Sequence, residues 1–82
     1  MNKQRKKLIY RSWHRGTKEM DIILGKFADK FIPTCSEDTI ASYELLLKEN
    51  DPDLYNWISG RENPPEPIAS NDSLRKIIDS YK

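Results

Sequence analysis

The chain is poor in the residues that small domains use for covalent or metal staples. Its 82 residues hold one cysteine, Cys35, so no internal disulfide can form. They hold one histidine, His14, so no Cys/His cluster has metal-ligand spacing. A single free thiol suits a reducing compartment. Glycine is scarce too: Gly16, Gly25 and Gly60 are isolated, and no Gly-rich phosphate loop can be built from them. No apolar run approaches the ~20 residues of a spanning helix. The basic N-terminus lacks the apolar segment and small-residue cleavage site of a signal peptide, and it is too short for a transit peptide. Acids are missing from the first 18 residues, which carry seven Lys/Arg (Lys3, Arg5, Lys6, Lys7, Arg11, Arg15, Lys18). The remainder carries the other seven against all thirteen acids, so a net charge of +1 hides a strongly segregated surface. Such segregation either solvates a tail or steers a complementary partner.

What remains is a pattern of helices. A chain this short forms one domain, burying only about 60% of its unfolded surface, with no room for a deep closed site. Five helical segments are readable, and no convincing strand. The first runs from about Lys3 to His14, with Leu8, Ile9 and Trp13 on one face. Gly16 is expected to stop it as a C-terminal cap with positive φ. Thr17 caps the second, whose Met20, Ile23, Leu24, Phe27 and Phe31 give the strongest amphipathic repeat, and Pro33 ends it. The third begins near Ser36, or two residues earlier in a Thr34–Glu37 capping box, and buries Ile40, Tyr43, Leu46 and Leu47. The fourth is short: Asp51 caps, Pro52 takes the first position, and Leu54, Trp57 and Ile58 point inward until Gly60. A proline-rich connection over residues 60–70 follows as a stiff linker. The last helix, residues 71–82, starts near Asn71 or Asp72 and presents Leu74, Ile77, Ile78 and Tyr81. The expected fold is all-α: a compact antiparallel bundle of about five short helices over residues 1–82, with residues 1–6 a basic N-terminus.

Catalysis finds little support. His14 has no nucleophile beside it, and Cys35 lacks an adjacent base despite sitting at a helix start. Asp51 and Asp53 are explained by capping. A basic first helix with Tyr10 and Trp13 could grip phosphates and stack on bases, but a pI near 7.8 lies below the range typical of nucleic-acid-binding domains. That leaves protein recognition. In His14-Arg15-Gly16-Thr17-Lys18-Glu19, the turn needs the glycine but not the charges around it. Arg15 is a bidentate donor, Glu19 an acceptor, and Gly16 removes a side chain between them. Arg15 and Glu19 either pair with each other across the turn, which contributes ~0–1 kcal/mol, or reach a partner.

Arg15-Gly16-Thr17-Lys18-Glu19 resembles the RGxxE signature of the succinate dehydrogenase assembly factor, or flavinator, family. Asp51-Pro52-Asp53-Leu54-Tyr55-Asn56-Trp57 resembles its second signature, at the expected separation. The resemblance covers about Leu8 to Trp57. It implies a small helical protein that is not an enzyme and holds no cofactor of its own. Its partner would be the flavoprotein subunit of succinate dehydrogenase, and in some bacteria that of fumarate reductase, onto which it promotes covalent attachment of FAD. By position, the partner-binding residues would be Arg15, Gly16 and Glu19, with His14 and Arg11 beside them. His14 stands where many members carry a second Arg, a departure that touches any role resting on a fixed charge. Asp51, Asp53 and Trp57 are expected as cap and core. The family implies a monomer without membrane insertion or nucleic acid, in the bacterial cytoplasm or, for a eukaryotic member, the mitochondrial matrix. Two other functions stay open: the antitoxin of a toxin–antitoxin pair, described for relatives, and a basic-helix nucleic-acid binder.

Overall fold

The computed structural model describes residues 2–81. Met1 and Lys82, the outermost positions of the expected basic N-terminus and last helix, lie outside the described residues. Five α-helices follow one another: α1 (Lys3–Trp13), α2 (Lys18–Phe31), α3 (Glu37–Leu46), α4 (Asp51–Ser59) and α5 (Asp72–Tyr81). One 3₁₀ turn, Ile68–Ser70, interrupts the proline-rich connection ahead of α5. The described residues contain no strand, as the all-α expectation requires.

Local chemistry sets most of the helix ends. Asn2, Thr17, Ser36 and Asn50 each accept a backbone N–H of the first turn through their side-chain oxygen. Asn71 does the same for Leu74 N–H at 3.0 Å. Thr17 and Ser36 cap where the sequence places them, and the Thr34 alternative is not used. Asp51 does not cap α4. Asn50 takes that position, one residue earlier, and Asp51 becomes the first helical residue. The correction matters, because a carboxylate released from capping is free to bind elsewhere.

Gly16 is a second correction. It does not adopt a positive φ; among the described residues only Gly60 does, at 86°, where it ends α4. The chain leaves α1 at His14 with φ −128° and ψ 58°, a conformation open to any residue, so no left-handed cap is needed.

The five helices are short, and burial of their apolar faces holds them. Leu8, Met20, Leu24, Phe27, Ile40, Tyr43, Leu46, Leu54, Trp57, Leu74 and Ile77 share one core with their neighbours. α1 and α2 run antiparallel: Arg5, at the start of α1, reaches the carbonyl of Ile32 at the end of α2, while Trp13, at the other end of α1, lies over Gly25. A Cβ at Gly25 would overlap the six-membered ring of Trp13. Glycine therefore permits this crossing, and the indole N–H donates across it to Asp29 Oδ1 at 3.2 Å. α5 closes the molecule against α3, α4 and α2. Its seam with α3 is polar: Ser73 Oγ donates to Thr39 O at 3.2 Å and meets Ser42 Oγ at 2.7 Å.

Ser12 joins the buried face of α1, which the apolar spacing alone does not mark. Its hydroxyl donates to Leu8 O at 2.7 Å and so accepts from the buried Tyr43 O–H. Burial pushes the Tyr43 phenol up to about 12, offset in part by the Ser12 bond and by the charges of Arg15 and Arg11.

Two outcomes are expected. Gly25→Ala gains about 1 kcal/mol of helix propensity but forces Trp13 aside at about 1–3 kcal/mol, so the thermal midpoint falls. For Tyr43, folded and unfolded states both hold the phenol proton below pH 10. Between pH 10 and 12 the unfolded state loses it first, so stability falls with rising pH by up to about 3 kcal/mol. Urea titrations at pH 9 and 12 check this, since Tyr43→Phe lacks that part of the slope.

Candidate functional site

The turn between α1 and α2 gathers the residues singled out by sequence, but it does not leave them all free. Arg15 faces inward, with its side chain 12% exposed. Its Nε donates to Asp51 Oδ1 at 2.8 Å, Nη1 to Leu47 O at 2.7 Å and Nη2 to Glu49 O at 2.6 Å. Leu47 is the C-terminal cap of α3, and its carbonyl is one of the acceptors that a helix end leaves unpaired. A cation placed there also complements the helix dipole. One planar guanidinium thus ends α3, holds the turn after it and fixes the first residue of α4. The Arg15 backbone N–H is taken by the Asp21 carboxylate of α2. Neither expectation for the Arg15 side chain anticipated this. It does not pair with Glu19, and its donors point into the molecule.

Gly16 belongs to the same arrangement. A Cβ there would lie 3.3 Å from Asp51 Oδ2, against a carboxylate that Arg15 already holds. A side chain here would press on that carboxylate at the start of α4. Arg15 and Gly16 come from the first sequence signature and Asp51 from the second, so the two meet in space.

Glu19 remains exposed in the first turn of α2 and has no hydrogen bond or ion pair through its side chain among the described residues. It borders a shallow opening of about 300 Å³ between the starts of α2 and α4, with Lys18, Asp51, Pro52 and Tyr55 around it. Beyond it stands Tyr81, whose phenol is raised above its usual pKa, first by a hydrogen bond with the Tyr55 side chain and then by neighbouring charges that include Glu19. The guanidinium of Arg61 lies 5.7 Å from the Tyr55 ring. Tyr55, Tyr81 and Arg61 border this surface without having stood out in the sequence as site residues. The signal available was Tyr55 within the second signature.

His14 and Arg11 lie at the end of α1, both exposed. His14 Nδ1 is 2.7 Å from Tyr10 O, and its ring packs on that of Tyr10 with centroids 4.0 Å apart. Of the two aromatics on the basic helix, Trp13 is spent over Gly25, and Tyr10 packs on His14 while staying exposed. Its Arg5 is also used internally, bonding to Ile32 O and to Glu37 Oε1 at 3.3 Å. Asp53 stays in the first turn of α4 and Trp57 in the core. Among the described residues, no group of His, Cys, Asp and Glu could hold a metal ion, and no helix is long and apolar enough to cross a membrane.

The model of a protein family described as the flavinator of succinate dehydrogenase matches residues 6–80. The chain belongs to that family. It is 44% identical over 66 residues to the mitochondrial succinate dehydrogenase assembly factor 2 of Dictyostelium discoideum, which covers 80% of this chain and 47% of that protein. It is 36% identical over 72 residues to the protein of the same name in Arabidopsis thaliana, covering 85% of this chain and 38% of that one. It is 35% identical over 77 residues to the FAD assembly factor SdhE of Acetobacter pasteurianus, covering 94% of this chain and 71% of that one. The chain therefore spans less than half the length of these two mitochondrial relatives. No solved structure matches it.

The Arg15 arrangement generates a stability test. Arg15→Ala leaves two carbonyls and a carboxylate without their donor and is expected to cost about 3 kcal/mol by urea titration. Arg15→Lys recovers less than half, because an ammonium cannot span three acceptors. A double-mutant cycle with Asp51→Ala should give a coupling of about 1–3 kcal/mol.

Proposed function

We propose that the chain is an assembly factor that binds the flavoprotein subunit of succinate dehydrogenase, or of fumarate reductase, and promotes covalent attachment of FAD to it. The observation that carries this reading is Glu19, exposed and without a side-chain partner among the described residues, beside a turn that Arg15 holds in place. The membership of the chain in the flavinator family supports it.

The mechanism is one of positioning. Forming the bond between flavin and protein is chemistry of the flavin and of the client's own site. A helper that keeps the client's domains in the reactive arrangement lowers the barrier without joining the reaction, and alignment of this kind is worth several kcal/mol. The chain therefore acts as a binding module rather than an enzyme, and FAD belongs to the client. Its glycines fit that division: Gly16 makes room for Asp51, Gly25 for Trp13, and Gly60 ends α4. They are spent on packing and turns rather than on cradling a cofactor phosphate.

Within the turn the roles divide. Glu19 makes the charged contact with the client, and His14 and Arg11 border it. Arg15 and Gly16 set the shape that presents them, since both are engaged with Asp51. The chain works as a monomer, in the bacterial cytoplasm or the mitochondrial matrix according to its source.

Flavin fluorescence of the client on a denaturing gel tests this, with wild type, Glu19→Ala and Gly16→Arg compared. Glu19→Ala should lower flavinylation about tenfold, equivalent to ~1.4 kcal/mol, while the thermal midpoint is unchanged. Gly16→Arg should lower both, because its Cβ presses on the Asp51 carboxylate and its guanidinium competes with Arg15 for it. Equal flavinylation in all three overturns the site assignment.

A further inference from the structure

Glu19 is the first member of a stripe along α2. Ile22, Lys26 and Lys30 follow it at three, seven and eleven residues, spacings that put all four on one helix face. The stripe is about 17 Å long at 1.5 Å per residue. It does not lie on flat surface. Between α2 and α5 runs a groove of about 460 Å³, with Phe27 and Phe31 at its base. Ile22 stands on one side and Tyr81 on the other, and they remain 39% and 44% exposed. These are two of the four large apolar or aromatic side chains that the described surface leaves open. Lys26 and Lys30 also line the groove, Lys30 with its ammonium 5.5 Å from the Phe31 ring.

Two apolar side chains left open over a groove and flanked by charge suit a docking segment better than isolated exposed residues do. Folding does not account for Ile22: the core is closed by Ile23, Leu24 and Phe27 on the same helix, and Ile22 points outside it. The groove adjoins the surface at Glu19, since Glu19 precedes Ile22 by three residues on the same face of α2. Along this face of α2 the charge changes sign, from Glu19 before the groove to Lys26 and Lys30 within it.

We propose that this groove receives a segment of the client flavoprotein. The segment presents apolar side chains over Ile22 and Tyr81, carboxylates to Lys26 and Lys30, and a cationic side chain toward Glu19. The proposal rests on the functional reading above and extends its contact surface from one turn to the length of α2. The mode is that of an amphipathic segment laid in an apolar groove, with charge order fixing its direction.

The test titrates the purified flavoprotein subunit of succinate dehydrogenase, without covalent flavin, into the full chain. Ile22→Asp and the double change Lys26→Glu with Lys30→Glu should each weaken binding at least tenfold, with helix content unchanged. The deficit of the lysine pair should shrink as salt rises. Arg75→Glu, an equivalent charge reversal on an exposed position of α5 away from the groove lining, should bind as wild type. Should Ile22→Asp fail to fold, the lysine pair decides. Wild-type affinity in the groove variants, with Glu19→Ala still impaired, overturns the groove while leaving the functional reading intact. No binding by the wild-type chain overturns that reading and the groove with it. Self-association of the wild type that the groove variants abolish, with client affinity unchanged, makes a second copy the occupant and likewise overturns the proposal.

Discussion

The structure turns on a single guanidinium. Arg15 follows α1, yet its three bonds go to the end of α3, the turn after it and the first residue of α4. Helices this short have few internal bonds to spare, and each end leaves acceptors that must be satisfied from outside. A lysine could neutralise Asp51 but could not also serve two carbonyls set apart in a plane. Through this contact the helical pair α1–α2 and the unit α3–α4 acquire a fixed relation that apolar packing alone would leave less defined. Arg5 acts similarly at the other end of α1, closing the C-terminus of α2 through Ile32 O and pairing with Glu37. Part of the basic front of the chain is therefore structural.

This arrangement changes how the turn works as a site. A signature that combines an arginine, a glycine and a glutamate invites the inference that all three touch the partner. Two of them face Asp51 instead. Under the proposed function, loss on changing Arg15 or Gly16 would report the shape of the surface, whereas loss on changing Glu19 would report a contact. The distinction follows from burial: Arg15 has little exposed surface to offer, and Glu19 has no side-chain partner to lose among the described residues. The surface so presented adjoins the groove beside α2, so under the proposed function helix packing and client recognition draw on the same element.

Much of the fold was legible in the order of residues. Thr17 and Ser36 cap where they were expected, and Gly60 ends α4. The apolar repeat Met20, Leu24 and Phe27 lies in the core, as do Ile40, Tyr43, Leu46 and Leu47 of α3. These are local rules, set by hydrogen-bond chemistry and a 3.6-residue period. The failures were one residue long or one contact deep. Asn50 and Asp51 are both competent caps, and nothing local says which one a distant arginine will claim. Gly16 and Gly25 resemble turn and helix-interior glycines, but their purpose is set by Asp51 and Trp13, 35 and 12 residues away in the chain. Ser12 was missed because its partner Tyr43 lies 31 residues on.

The sequence by itself determined an all-helical chain, the number of its helices, most of their ends and the stretch where function is sought. It could do so because caps, prolines and amphipathic spacing act over a few residues. Only the tertiary structure decided that Arg15 binds Asp51 instead of Glu19, that Gly16 makes room for a carboxylate, and that Glu19 is left to face outward. Those outcomes depend on which helix ends meet, and the meeting is fixed by the burial of all five apolar faces at once.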